Sequence, residues 1–480
     1  MRYDACVIGA GADGLAAALT LARAGLKTIV VEKADQPGGR GTFREFHPGF
    51  RASFFTDTLP EMPAELFRAL AILPAAPSAS LALWPDRAHW LHRRRPSPAR
   101  DLLARAARDC TALRARALRD AEPVARKPLF AHAQLLAPWP EEDRYTAALA
   151  DLLAREIPEP DAAAHLMAQA LEGRAADPFL RGSALHLLAP EDSLVTPGLA
   201  EALAAAAREA GAEILCGVEA TDIRHAKERV TGLDLSDGTT VEARALLSTL
   251  DLKRTFLSLF AWDALSKPVS RRVAAFRMTG STARLLLALD RPPALEPEAL
   301  RAPIHLAPDP AAMADAVAAW RTGTVPEHPP ITLRVVSASI PSLAPPGAAV
   351  LTVTLGAIPS RLFDGAWTHE KRDRLRNATL DAIEAVLPGT RASVLASELL
   401  VPPDIEEALG VTDGDLRGGE IAADQMFALR PGFETPAPRT PFTGLYLAGA
   451  SSATAPFGTG ASGLVAAEAM IADLKAGRLK

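Results

Sequence analysis

Residues 3–42 read YDACVIGAGADGLAAALTLARAGLKTIVVEKADQPGGRGT, and this stretch decides the fold. An apolar run from Ala5 to Ile8 reads as a buried strand, Gly9, Gly11 and Gly14 follow as G-x-G-x-x-G, and Ala16 to Ala24 continues with helical periodicity. A strand, a tight turn and a helix in this order make a phosphate-binding unit. Gly9 lets the chain turn. Gly11, with Ala12 and Asp13, brings backbone N–H groups toward a pyrophosphate, and Gly14 lets the helix lie against the strand. A second strand, Thr28 to Val31, ends at Glu32 and Lys33. The acid is close to the roughly 20-residue offset at which a carboxylate meets adenosine ribose hydroxyls, which argues against a 2′-phosphate.

The next element selects the dinucleotide. Gly38, Gly39, Arg40, Gly41 and Thr42 follow Glu32 after a short turn, and the doublet resembles that of the FAD-dependent amine oxidase and phytoene desaturase superfamily. The resemblance implies that this second glycine loop and its arginine close over the flavin side of the pyrophosphate.

Composition narrows the class further. The 480 residues are 49% hydrophobic and 23% charged, an ordinary balance for two or three soluble domains. A net charge of −5 gives no reason to expect nucleic acid. Cys6, Cys110 and Cys216 are far apart and are expected to be buried thiols, which argues against a disulfide framework and a cysteine metal site. No metal is expected. Neither a secretory signal nor an apolar run of about 20 residues is visible, so a cytoplasmic location is expected.

Strand and helix patterns fall into separated blocks. The expected architecture is α/β: a Rossmann-type FAD-binding domain of the GR2-like kind, discontinuous over 1–75, 194–265 and 420–480, with an inserted mixed-sheet substrate domain at 266–419. Residues 76–193 are expected to form a helical lid or substrate region. The whole chain resembles the phytoene dehydrogenase-related branch of the FAD oxidoreductases, which includes carotenoid desaturases, retinol saturase and the pyridine nucleotide-disulfide oxidoreductase domain 2 group. The most specific matches are DGDLRGGEIAADQMFALRP at 413–431 and TPFTGLYLAGASS at 440–452.

What the resemblance implies can be carried onto particular residues. Gly458 to Gly463 is a second G-x-G-x-x-G, but no complete βαβ unit follows it, so a second nucleotide site is rejected. In the family this loop sets a helix N-terminus, here Thr459, Gly460 and Ala461, beside the flavin pyrimidine ring, where it favours the reduced state. Gly449 and Ala450 stand where flavoproteins commonly have Gly-Asp, so a side-chain contact is missing. Ala220 occupies the strand position that meets adenine, and Ser248 and Thr249 end the strand that passes the adenosine side. The flavin is expected to be non-covalent, because no Cys or His lies in the 449–463 loop.

Catalytic residues are less legible. Asp424, Gln425 and Arg430 match a D-Q-x-x-x-x-R-P pattern; Gln425 and Arg430 are weak catalytic candidates, and an Arg430–Asp424 ion pair at a domain junction is the structural alternative. The ten histidines show no H-x-x-x-H spacing and no G-x-S-x-G elbow occurs, so the flavin itself is the chemical device. With three tyrosines in the chain, the paired aromatic cage of amine oxidases is hard to assemble.

The expected activity is hydride transfer to flavin N5 from an apolar isoprenoid or polyene-like small molecule, desaturating or saturating it. Amine oxidation with release of peroxide, redox-neutral isomerisation and non-catalytic prenyl binding are the alternatives. Apolar stripes at Met62 to Leu73, Phe179 to Leu188 and Phe256 to Phe260 could line a tunnel, although such stripes more often form core. WPDRAHWLHRRR at 84–95 could touch the inner face of a membrane transiently, or form a solvated strand and turn.

Overall fold

The apolar run of the phosphate unit forms β1 (Arg2–Ile8), the glycine turn leads into α1 (Ala12–Arg23), and β2 (Thr28–Glu32) returns parallel to β1. These elements belong to a computed structural model that describes every residue except 1, 61, 64–65, 67–77, 120–141, 190–192, 427–428, 434, 436, 453–458 and 480. The predicted boundary at 75/76, Gly458, and most of the 62–73 stripe lie outside the described residues.

β1 is central in a seven-stranded sheet, with Thr240–Ser248 parallel on one side and β2 followed by Glu213–Cys216 on the other. Thr240–Ser248 changes partner along its length. Its first residues pair antiparallel with Arg229–Leu235, and its last three pair parallel with Leu445–Leu447. Thr240–Ser248 is a single strand, and Arg244 within it pairs with Asp4 at 3.1 Å.

The pleat sends alternate residues of β1 to opposite cores. Ala5 and Val7 join the core beneath α1, whereas Cys6 and Ile8 join the one containing Phe256, Phe260 and Phe442. Small side chains let helices approach closely on the first face: Ala16 and Ala17 of α1 lie in one cluster with Ala466 and Ala467 of the closing helix Ala461–Lys475, and with Ala204 and Ala207 of Leu199–Glu209. The phenylalanines at 256 and 260 are thus core behind the sheet, not a tunnel. Phe179 and Leu180 are half exposed.

A second seven-stranded sheet runs in the order Val394–Leu400, Ala283–Leu289, Ala349–Leu355, Ile331–Val335, Ile304–Leu306, Ala79–Leu83, Ala88–His92. Its last hairpin comes from the region expected to be helical. Ala79–Leu83 pairs parallel with Ile304–Leu306, which completes an edge that the helical reading left open. The rest of that region is helical over Pro98–Arg119, Leu149–Glu156 and Pro160–Ala170. WPDRAHWLHRRR is accordingly strand and turn: Arg87 lies 4.5 Å from the Trp84 ring and pairs with Asp161. Of the three cysteines only Cys6 is fully buried, and burial pushes its thiol up to about 12; Cys110 and Cys216 are partly exposed, contrary to expectation. Among the described residues no helix is long and apolar enough to cross a membrane.

Candidate flavin and substrate sites

The two glycine loops of the N-terminal unit meet directly. Gly38 N–H donates to the Ala10 carbonyl at 3.1 Å, and Gly39, at φ +58°, approaches so closely that a Cβ there would stand 3.1 Å from Gly11 Cα. Gly14 has a different task. A Cβ on it would lie 1.9 Å from the Gly9 carbonyl oxygen, so only glycine lets α1 start at the end of β1. The carboxylate of Glu32 ties this unit together, accepting from Ala10 N–H at 2.6 Å with one oxygen and from Ala34 N–H at 2.9 Å with the other.

A cleft of about 820 Å³ opens along these loops. Gly9, Gly11, Ala12 and Asp13 form one wall; Glu32 and Lys33 stand at the end of β2; Gly39, Arg40, Gly41 and Thr42 form the facing loop. Ala220 lines the far end beside Glu219, which pairs with Lys33 at 3.8 Å. Gly449, Ala450 and Thr459 line the other end.

Four predicted residues are displaced from it. Ser248 is fully buried, its hydroxyl 2.7 Å from that of Thr255, and its neighbour Thr249 lines the cleft instead. Strand alternation turns Ser248 inward and its neighbour Thr249 into the cleft. Gly14, Gly460 and Ala461 also lie behind the wall. Gly460 adopts φ +77°, and a Cβ there would meet Leu66 and Ala16, so this turn is shaped by α1.

The N-terminus of the closing helix is not a bare positive end. Asp13 accepts from the Ser462 hydroxyl at 2.5 Å and from Gly463 N–H at 3.4 Å, while Ser462 accepts from Gly449 N–H at 2.7 Å. Burial raises the Asp13 pKa, against the lowering by these hydrogen bonds and by Arg40. A carboxyl group from the first glycine loop thereby caps the helix expected to face the flavin ring.

Neither weak catalytic candidate reaches the cleft wall. Arg430 is 1% exposed and donates to six main-chain carbonyls, those of Arg417, Gly418, Gly419, Glu420, Gln425 and Ala450, at 2.7–3.3 Å. It staples the 417–420 loop to Ala450. The expected ion pair with Asp424 does not form, because Arg277 takes that carboxylate at 2.6 and 2.9 Å on the surface. Gln425 uses its amide on the backbone of the same residue, accepting from Arg277 N–H at 2.6 Å and donating to its carbonyl at 3.1 Å.

The staple creates a wall that sequence reasoning left without a role. Asp415, Leu416, Arg417 and Gly418 line the cleft, and a Cβ on Gly418 would lie 2.7 Å from that of Ala450. The small residue at 450 therefore matches a close-packed loop. Glycines 414, 418 and 419, all at positive φ, were the sequence signal for it.

Beyond Arg40, Leu416 and Arg417 lies a cavity of about 310 Å³ between the second sheet and the helices, and these three residues line both spaces. None of the three tyrosines lines either: Tyr3, Tyr145 and Tyr446 donate to Glu213, Asp109 and Asp473.

The paired glycine loops leave a backbone-lined cradle at Gly9 and Gly11, with an acid at the end of β2, and these donors and acceptors fit a dinucleotide. Comparison with known proteins identifies which. The FAD dependent oxidoreductase family matches residues 4–285, and the flavin containing amine oxidoreductase family matches residues 183–471. The chain is 28% identical to pyridine nucleotide-disulfide oxidoreductase domain-containing protein 2 of Mus musculus, covering 99% of this chain and 94% of that protein. It is 26% identical to a 4,4'-diapolycopene oxygenase of Methylomonas sp over 53% of this chain and 49% of the other. Among solved structures, cyclohexylamine oxidase from Brevibacterium oxydans shares the fold, with a TM-score of 0.61 at 16% identity over 98% of this chain and 99% of that one. The chain belongs to the FAD-dependent oxidoreductases of the flavin amine oxidoreductase superfamily, and its cofactor is FAD.

Proposed function

We propose that this enzyme oxidises or reduces a C–H-rich chain of the isoprenoid or polyene kind, held in the cavity that shares Arg40, Leu416 and Arg417 with the cleft. The carrying observation is the cavity's apolar side: Phe55, Leu91, Leu103, Ala104, Ala107 and Leu187 line it, with no tyrosine among the described lining residues. The partial similarity to the diapolycopene oxygenase points the same way.

Bound in the cleft, FAD would supply the two-electron acceptor. The chain supplies placement. The N–H groups of the Gly9–Asp13 turn and the Gly39–Thr42 loop would hold the pyrophosphate, and Glu32 the ribose. Gly449, Ala450 and Thr459 would border the flavin ring. Arg430 keeps the 417–420 loop packed on Ala450, and that loop would exclude water from this side of the cleft once the cofactor is bound.

Anaerobic mixing of the FAD-loaded enzyme with squalene, retinol and β-carotene in detergent, and separately with putrescine and cyclohexylamine, tests the assignment. Bleaching of the flavin band by an apolar compound, with the amines inert, is expected. Rapid bleaching by an amine, with peroxide on admission of air, would move the assignment to amine oxidation.

A further inference from the structure

The second sheet has one apolar and one polar face, and both are buried. Leu285, Leu287, Leu333, Leu351 and Val353 lie in a single apolar core on one side. On the other, cross-strand register places Arg284 opposite Thr354, Thr354 opposite Thr332, and Thr332 opposite His305. Arg334 and Thr352 pair on neighbouring positions of the same face. A polar strand face normally meets water. Here Arg284, His305 and Thr352 are at most 1% exposed: Asp57 covers Arg284 and Thr352, and the cavity beside them is also lined by Gln169, Ala170, His186 and Leu187.

Two of these groups are incompletely satisfied. Arg284 spends its terminal nitrogens on Asp57 at 2.6 and 2.8 Å and on the Thr354 hydroxyl at 2.5 Å, yet its Nε has no hydrogen-bond partner among the described residues. His305 engages Thr332 through Nδ1 at 2.9 Å, and its Nε2 has none. Each such buried atom is unfavourable unless a bound group meets it.

Arginine outnumbers acid here: Arg284 pairs with Asp57 and Arg334 with Glu172, while Arg174 and Arg417 also line the cavity. Burial and then Arg334 push His305 down to about 3, and burial, Arg174 and Arg417 hold His186 well below its usual range. Burial opposes the charge of Glu172, but Arg334, Arg417 and Arg284 together still keep its carboxyl low. Three guanidiniums act on one carboxylate.

We propose that this polar face receives the anionic end, a carboxylate or phosphate, of an amphiphilic substrate whose apolar chain runs along Leu91, Leu103 and Leu187 toward the cleft. The proposal rests on the cavity being the substrate site. It narrows the substrate from any apolar chain to one with an acidic terminus, and it disfavours ammonium groups, which the same arginines repel.

The test uses FAD-loaded protein and four probes of equal chain length: myristate, tetradecyl phosphate, tetradecanol and tetradecylamine, titrated by calorimetry and by perturbation of the flavin spectrum. One or both anions should bind at least tenfold more tightly than the alcohol, with the amine weakest. A preference for myristate or for the phosphate identifies which head the site takes. His305→Leu and Thr354→Val should erase most of the difference while leaving tetradecanol affinity unchanged. Equal affinity of acids and alcohol overturns the proposal, as does a preference that survives both substitutions. The wild-type comparison alone decides even where a variant fails to fold. Flavin reduction by squalene, retinol and β-carotene, measured in parallel, separates the two readings: anions that bind while no apolar chain reduces the flavin defeat the proposed reaction and leave the anion site standing. Polyene oxidation with no preference for anions does the reverse.

Discussion

Replacing Glu32 by Gln isolates the most connected carboxylate of the cofactor unit. Its two oxygens accept from Ala10 N–H at 2.6 Å and from Ala34 N–H at 2.9 Å. An amide of the same shape keeps one acceptor and turns an NH2 group toward the other N–H, so one charge-assisted hydrogen bond disappears. Such a bond contributes about 1.5–3 kcal/mol. Ala10 belongs to the turn whose backbone faces the pyrophosphate, and the same carboxylate is placed to accept from the ribose. The loss should therefore appear in FAD affinity as a roughly 10- to 150-fold increase in Kd, at about 1.4 kcal/mol per tenfold. FMN lacks the adenosine ribose and should lose much less. Titration of apoprotein with each flavin, followed by quenching of flavin fluorescence, measures both constants. FAD affinity within threefold of wild type, in a variant with unchanged Tm, would refute the argument, because it would mean that neither the turn nor the ribose depends on this acid.

Other outcomes can be checked alongside it. Arg430→Lys offers at most three donors to six carbonyls, so a loss of roughly 3 kcal/mol or more, seen as a clearly lower Tm with weakened flavin retention, is expected; a Tm within one or two degrees of wild type would count against the staple. His165 and His305 are pushed down to about 2 and about 3, both chiefly by burial, so below the unfolded value near 6.5 the unfolded chain binds protons that the folded chain refuses. Stability should fall by about 1.4 kcal/mol per pH unit per histidine as pH drops from about 6 toward 3, and denaturant melts of His165→Gln should show a shallower slope; an unchanged slope contradicts the neutral assignment. Asp13→Asn removes the capping carboxyl at the closing helix and should move the flavin midpoint potential to more positive values, since the reduced flavin then faces an uncompensated helix end. A potential equal to wild type, measured by dye-coupled reduction, would place that carboxyl outside the reach of the ring.

The cofactor unit was legible because its chemistry is local. Gly9, Gly11 and Gly14, Glu32, and Gly39 to Thr42 act within one strand, turn and helix and the loop after β2, so spacing along the chain equals spacing in the cleft. Where a role depended on which way a strand faces, spacing could not separate neighbours: of Ser248 and Thr249, Ser248 turned into the core and Thr249 took the wall. Where it depended on long-range pairing it failed. Asp424 found Arg277, 147 positions away, and Arg430 found the carbonyls of a loop instead of an acid.

The sequence by itself therefore determined the dinucleotide fold and the flavin, since both are written in short glycine and apolar patterns. Only the tertiary structure decided the character of the second sheet. Strands such as AVLTVTL and ITLRV alternate as solvent-facing strands do, and nothing in their own pattern says that helices fold over the polar side. Burial of a face is a property of what packs on it, and that partner lies more than a hundred residues away along the chain.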